Sequence, residues 1–117
     1  MENLDESIAV LEAIRRRGLP LYGLTNLPSE KYSLIRARLP YLDWFEAVVV
    51  SGEVGVAKPH PGIYRHLLAT QRLNPASTLY IDDVMENVTG ARALGFNVLH
   101  FVSSAKLRSD LSDLGLL

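Results

Sequence analysis

Leu4, Ile8, Leu11 and Ile14 recur at helical spacing between Asn3 and Arg17, with Glu2, Asp5 and Glu6 at the start and Arg15, Arg16 and Arg17 at the end. That charge order complements a helix dipole, so the stretch predicts an amphipathic helix and gives the three arginines a structural reading. Gly18 suits a left-handed residue after the helix, and Pro20 blocks its continuation. Leu21 to Thr25 then reads as a short buried strand, and Pro28 with Ser29 opens a helix that ends before Pro40. Ala47-Val48-Val49-Val50 is a β-branched run suited to a strand covered on both faces, with Trp44 as packing and Ser51 to Pro59 as a glycine-containing loop. Pro61 starts the next helix, with Ile63, Leu67 and Leu68 on its apolar face, and Asn74-Pro75 closes the segment. Thr78 to Ile81 reads as a third strand, Asn87 to Leu94 as a helix ended by Gly95, and Asn97 to Phe101 as a fourth strand. Ser103 or Ser104 caps a last helix.

The order is therefore one helix followed by four strand–helix units. Alternation at this spacing implies parallel pairing through right-handed crossovers. The predicted fold class is α/β: an open, Rossmann-like, mostly parallel sheet with helices on both faces. A closed eight-fold barrel needs about twice this length. No low-complexity linker or repeat divides the chain, so residues 1–117 read as one domain.

Composition fits that picture. Hydrophobic residues make up 48% of the 117 and charged residues 21%, an ordinary globular balance and not that of a disordered segment. Twelve basic residues against thirteen acidic ones give a formal charge of −1, which provides no global field for nucleic acid or an anionic membrane. The absence of cysteine removes disulfides, thiolate metal sites and thiol nucleophiles. His60, His66 and His100 lack zinc-like spacing. The acidic start is unlike a signal peptide and no apolar run is long enough to span a bilayer, so the expectation is a cytoplasmic protein.

In open parallel sheets the functional crevice lies beyond the carboxyl ends of the strands, so the first polar residues after each apolar run carry the chemistry. The first run ends in Thr25-Asn26, the second leads through the glycine loop to Lys58, and the third ends in Asp82-Asp83. Adjacent carboxylates offer hard oxygens to Mg²⁺, while an ammonium and a hydroxyl suit phosphate oxygens. One rim so equipped points to a phosphoryl group.

Three stretches, Leu21 to Asn26, Ser51 to Pro61, and Ile81-Asp82-Asp83 with Asn87, Gly90-Ala91 and Gly95-Phe96, resemble the haloacid dehalogenase-like hydrolases, in particular their phosphatase-like members. The resemblance implies that Thr25 and Asn26 hold the phosphoryl group. It makes Lys58 the lysine that stabilises the charged transition state, and Asp82 and Asp83 the acidic pair that binds Mg²⁺, with Asp83 favoured as direct ligand. Thr25 and Lys58 are thus the expected catalytic residues, and a small phosphorylated metabolite the expected substrate. Asn87 stands where many members carry a further aspartate.

The family's first motif is a strand ending in Asp-x-Asp, which provides the nucleophile, and no pair of aspartates here has that spacing. The chain thus reads as a partial core without a cap, with negligible turnover alone and Mg²⁺ weak or absent. Loss of that central strand opens a seam between the strands ending at Thr25 and Asp82. Direct pairing, another segment of the chain, or a second chain by dimerisation or strand exchange must then satisfy the seam. Two other readings compete with a hydrolase core. A non-catalytic phosphate-binding or interaction module accepts the missing nucleophile. A phospho-accepting receiver domain conflicts with the order Thr25, Lys58, Asp82-Asp83. Dehalogenation is disfavoured because a carboxylate displacing halide needs no metal, so the acidic pair would have no task.

Overall fold

The structure, a computed structural model, describes residues 4–117. Helix α1 covers Leu4–Arg16 and β1 Leu21–Thr25, followed by α2 (Ser29–Arg38), a 3-10 turn over Pro40–Trp44 and β2 (Phe45–Val50). A single helical turn, α3 (Ser51–Val54), precedes α4 (Pro61–Gln71), β3 (Leu79–Asp82), α5 (Met85–Ala93), β4 (Asn97–His100) and α6 (Ser104–Asp113). The order predicted from periodicity is the order found. The start at Asn3 and the acidic Glu2 lie outside the described residues. The sequence reading missed the 3-10 turn and α3, both too short to show a hydrophobic period.

Local chemistry sets the boundaries. Gly18 and Gly95 take φ of 81° and 94° directly after α1 and α5, a region open to glycine at little cost. The Ser103 side chain accepts from the Lys106 amide at 3.1 Å, so Ser103 and not Ser104 caps α6. His60 caps α4, its Nδ1 accepting from the Gly62 amide at 2.9 Å, and Pro61 fills the first helical position. Arg15 lies over the Trp44 ring at 5.3 Å, which ties the end of α1 to the 3-10 turn and keeps Trp44 in a packing role.

Strands alternate their side chains between two cores. Tyr22, Leu24, Tyr80 and Val98 face a cluster built on Val49, Ile63, Tyr64, Leu67, Ala91 and Phe96, under α4 and α5. Leu21, Leu79 and Leu99 face the other way, onto Val10, Ile14 and Leu111 of α1 and α6. Helices thus cover both faces, as expected of an α/β layer fold.

The pairing is parallel but in two separate halves: β1 with β2 and β3 with β4. Among the described residues no strand lies between β1 and β3, and those two do not pair with each other. The predicted seam is therefore present. Direct pairing of β1 with β3 does not occur, and no described strand pairs with both. The halves are joined by shared helices and, at one edge, by side chains.

Candidate active site

That edge is the carboxyl end of the strands. Asn26, directly after β1, grips the backbone of Lys58: its amide nitrogen donates to the Lys58 carbonyl at 3.0 Å, and its Oδ1 accepts from the Lys58 N–H at 2.8 Å. Next to it the Leu27 carbonyl accepts from the Gly52 amide at 3.0 Å and from Ser51 Oγ at 3.2 Å. The loop after β2 is thus locked to the loop after β1. Gly52 is required there, because a Cβ would stand 2.6 Å from the Ser29 nitrogen and 2.9 Å from the Leu27 carbonyl.

With its backbone held by the β1 side, Lys58 sends its ammonium to the β3 side. Nζ donates to Asp82 Oδ2 at 3.1 Å, and both side chains are largely buried, at 14% and 7% exposure. The same oxygen accepts from Tyr80 Oη at 2.5 Å and from Asn87 Nδ2 at 3.2 Å, while Oδ1 accepts from the Val84 amide at 2.9 Å. Burial alone would push the Asp82 carboxyl up. The Tyr80 hydroxyl, the Val84 amide and the Lys58 ammonium overcome it, and the carboxyl falls to about 2. The Tyr80 phenol is pushed far above its ordinary value, first by burial and then by its bond to that carboxylate.

Aromatic packing supports this cluster from below. The rings of Tyr64, Tyr80 and Phe96 meet edge to face at centroid distances of 5.5, 6.0 and 6.1 Å. The two phenols end on polar partners, Tyr80 on Asp82 and Tyr64 on the Asn87 carbonyl at 2.8 Å. The sequence reading did not single out either tyrosine. Their spacing fits core packing, and nothing in it shows that their hydroxyls reach the rim.

The expected residues therefore take different positions. Lys58, Asn26 and Asp82 form one connected set, and Thr25 precedes Asn26 at the end of β1. Asn26 commits both ends of its amide to Lys58. Asp82 spends both oxygens on protein donors. Asp83 has an exposed side chain, and its carbonyl accepts from His100 Nε2 at 2.9 Å, so His100 braces the loop after β3 from the end of β4. Asn87 is buried and acts as a hydrogen-bond donor.

This donor set does not by itself make a Mg²⁺ site. Among the described residues no three acidic or imidazole side chains cluster. With Asp82 saturated, Asp83 is the one carboxylate of the pair left to a cation that demands near-octahedral oxygen coordination. No helix of the described residues is long and apolar enough to cross a membrane.

The chain belongs to the haloacid dehalogenase-like hydrolase family, which matches residues 2–95. It is 29% identical over 106 residues to the sesquiterpene phosphatase astK of Aspergillus oryzae, covering 91% of this chain and 54% of that protein. It is 38% identical over 93 residues to a phosphoserine phosphatase of Thermus thermophilus, covering 77% and 36% respectively. A solved haloacid dehalogenase family enzyme of Bacteroides thetaiotaomicron, in complex with magnesium and inorganic phosphate, superimposes with a TM-score of 0.72 at 22% identity. That match covers 83% of this chain and 53% of the enzyme. The chain spans about half or less of the length of these relatives.

Proposed function

We propose that this chain is the phosphate-holding part of a phosphate-ester hydrolase core, of the kind that acts on small phosphorylated metabolites. The Thr25 hydroxyl and the Lys58 ammonium take the phosphoryl oxygens. Lys58 has three N–H donors and spends one on Asp82, which leaves charge and donors for an oxyanion. Asn26 and Asp82 act on Lys58, one fixing its backbone and the other its head. The observation that carries this reading is Lys58 itself, which spans the seam from Asn26 at the end of β1 to Asp82 at the end of β3. Support also comes from the relatives, several of which are named phosphatases.

Turnover by this chain alone is expected to be negligible, because the Asp82 carboxylate beside Lys58 has both oxygens held by protein donors and no Asp-x-Asp pair supplies a nucleophile, whose loss costs on the order of 10⁴ to 10⁶ in rate. Mg²⁺ binding through Asp83 alone is expected to be weak. The test has two arms. Inorganic phosphate should raise the melting temperature of the wild-type chain, and Lys58→Met should abolish that rise. Fusion to an N-terminal segment with an apolar strand ending in Asp-x-Asp should restore hydrolysis of a phosphate monoester. A chain that phosphate leaves unchanged in both forms would overturn the reading.

The open seam supports a second reading, a non-catalytic module that binds phosphate and takes a partner strand between β1 and β3, by dimerisation or strand exchange. Phosphate-dependent stabilisation without turnover in the fused form, together with a dimer in light scattering, would favour it over the hydrolase.

A further inference from the structure

Four donors surround the Asp82 carboxylate, which offers roughly four lone-pair sites. The Val84 amide takes Oδ1, while Tyr80 Oη, Lys58 Nζ and Asn87 Nδ2 crowd onto Oδ2 at 2.5, 3.1 and 3.2 Å. These donors differ in what holds them. The Tyr80 ring is wedged between Tyr64 and Phe96, Val84 is the residue that enters α5, and Asn87 is buried on α5 with its carbonyl bound by Tyr64. All three belong to the β3–α5 unit that carries Asp82. Lys58 alone comes from the other half, its backbone tied to Asn26 and its ammonium at the end of a flexible stem.

Parting a buried ion pair is strongly destabilising when it leaves the other charge without compensation. Here the carboxylate keeps three donors if the ammonium turns away, the shortest bond being that of Tyr80. Oδ2 is also oversubscribed, with three donors for about two lone pairs, so the Lys58 bond is one it can release. The hydroxyl further disperses carboxylate charge that would otherwise hold the ammonium and repel an incoming anion.

We propose that Tyr80 is a positioning residue for Lys58, with Asn87 in support: by holding the Asp82 carboxylate, they leave the Lys58 ammonium free to turn toward a phosphoryl oxygen. This inference rests on the reading of Lys58 as the phosphate-holding cation. Tyr80 itself is buried beneath the rim and acts on Lys58 only through Asp82. It also gives the phenol a task at a core position where phenylalanine would pack as well without a hydroxyl to bury.

The test is titration of the full chain with inorganic phosphate, followed by NMR of labelled lysine ammonium groups, at a temperature where each variant is folded. Phosphate should shift the Lys58 ammonium signal of the wild type. Tyr80→Phe should weaken phosphate binding about tenfold, the same shift needing correspondingly more phosphate. Asn87→Ala removes a longer bond to the same oxygen and should weaken binding about threefold, which keeps the question open to measurement if Tyr80→Phe does not fold. Phe96→Leu loosens the same aromatic triangle but removes no donor, so it should lose stability and keep phosphate affinity within about twofold of wild type. Equal affinity in the wild type and Tyr80→Phe, or in the wild type and Asn87→Ala, would overturn the proposal, as would a loss in Phe96→Leu as large as that in Tyr80→Phe. Each of these leaves the functional reading in place, whereas a wild-type chain that does not bind phosphate overturns both.

Discussion

The two strand pairs are built to different standards. Around β3 and β4, Tyr80, Val88, Ala91 and Phe96 are buried, and the polar groups Tyr64 Oη, Tyr80 Oη, Asp82 and Asn87 all have partners. Around β1 and β2, β2 buries Val49 and Val50, but every residue of β1 is half-buried and α2 buries Tyr32 alone. Leu34 stands 65% exposed, an open pocket remains between α2 and the strands, and the buried Tyr32 hydroxyl beside it is orphaned. A close-packed half therefore carries the rigid side of the site, and a loosely packed half is attached to it by α4 and by Lys58. The difference bears on the proposed phosphate site, since a charged cluster is useful only where its supporting shell cannot yield.

The largest effect should come from the close-packed half. Tyr64→Ala removes one corner of the aromatic triangle and the bond to the Asn87 carbonyl. A buried aromatic truncated to alanine costs about 3–5 kcal/mol, a large share of the stability of a domain this size. Urea or thermal melts should show the variant largely unfolded. The contrasting change on α2, Leu34→Ser, should stay within about 0.5 kcal/mol. If the two variants melt alike, the contrast between the halves is wrong.

A smaller effect, with a pH signature, should follow from Tyr80→Phe. The hydroxyl is a leading donor to Asp82, and a buried hydrogen bond to a charged group is worth about 1.5–3 kcal/mol. Asp82 titrates lower in the folded chain, near 2, than when unfolded, so its ionised form favours folding. That contribution is complete above about pH 4 and is lost as pH falls through about 2. Tyr80→Phe should raise the folded value, lower stability at neutral pH and flatten the pH dependence between 4 and 2. A variant that loses stability equally at pH 3 and pH 7 would show that the tyrosine acts through packing alone.

Next in size is the lock within the β1–β2 half, between the loops that follow its two strands. Gly52→Ala sets a Cβ against backbone atoms of Leu27, Pro28 and Ser29, which cannot swing aside as a side chain would. The expected cost is about 1–3 kcal/mol. Because the loop carries Lys58 to the seam, phosphate-dependent stabilisation should fall with it. Retention of the full phosphate effect in a destabilised variant would separate the lock from the site.

Much of this arrangement was legible in the chain and some was not, for physical reasons. The element order followed from periodicity and from Gly18, Pro61, Gly95 and Ser103, because caps and breakers act locally. The rim residues Thr25, Lys58 and Asp82-Asp83 followed from their places after apolar runs, and the seam from the missing Asp-x-Asp strand. The division of labour at the rim did not follow. That Asn26 spends its amide on the Lys58 backbone and Asp82 its oxygens on Tyr80 and Asn87 depends on side-chain contacts across up to thirty-two residues of sequence, to which spacing is blind. The orphaned Tyr32 hydroxyl was equally hidden. Tyr32 lies on a helix with no clear apolar stripe, and only the packed structure shows its hydroxyl to be alone.

The smallest effect sharpens the comparison most, because it makes the same atomic deletion in the other half. Tyr32→Phe removes one buried hydroxyl oxygen, as Tyr80→Phe does, but this oxygen has no partner to lose. A buried polar group without a partner costs about 1–3 kcal/mol of desolvation relative to an apolar one, part of which a relaxed geometry recovers. The variant should therefore be as stable as the wild type or more stable, by up to about 1 kcal/mol, without the acid-limb change of Tyr80→Phe. Chemical denaturation of the two variants side by side tests the sign. Opposite signs mean that each half treats a phenol by whether it is satisfied, whereas a comparable loss in both means that Tyr32 already has an acceptor and that the β1–β2 face is as well finished as its counterpart.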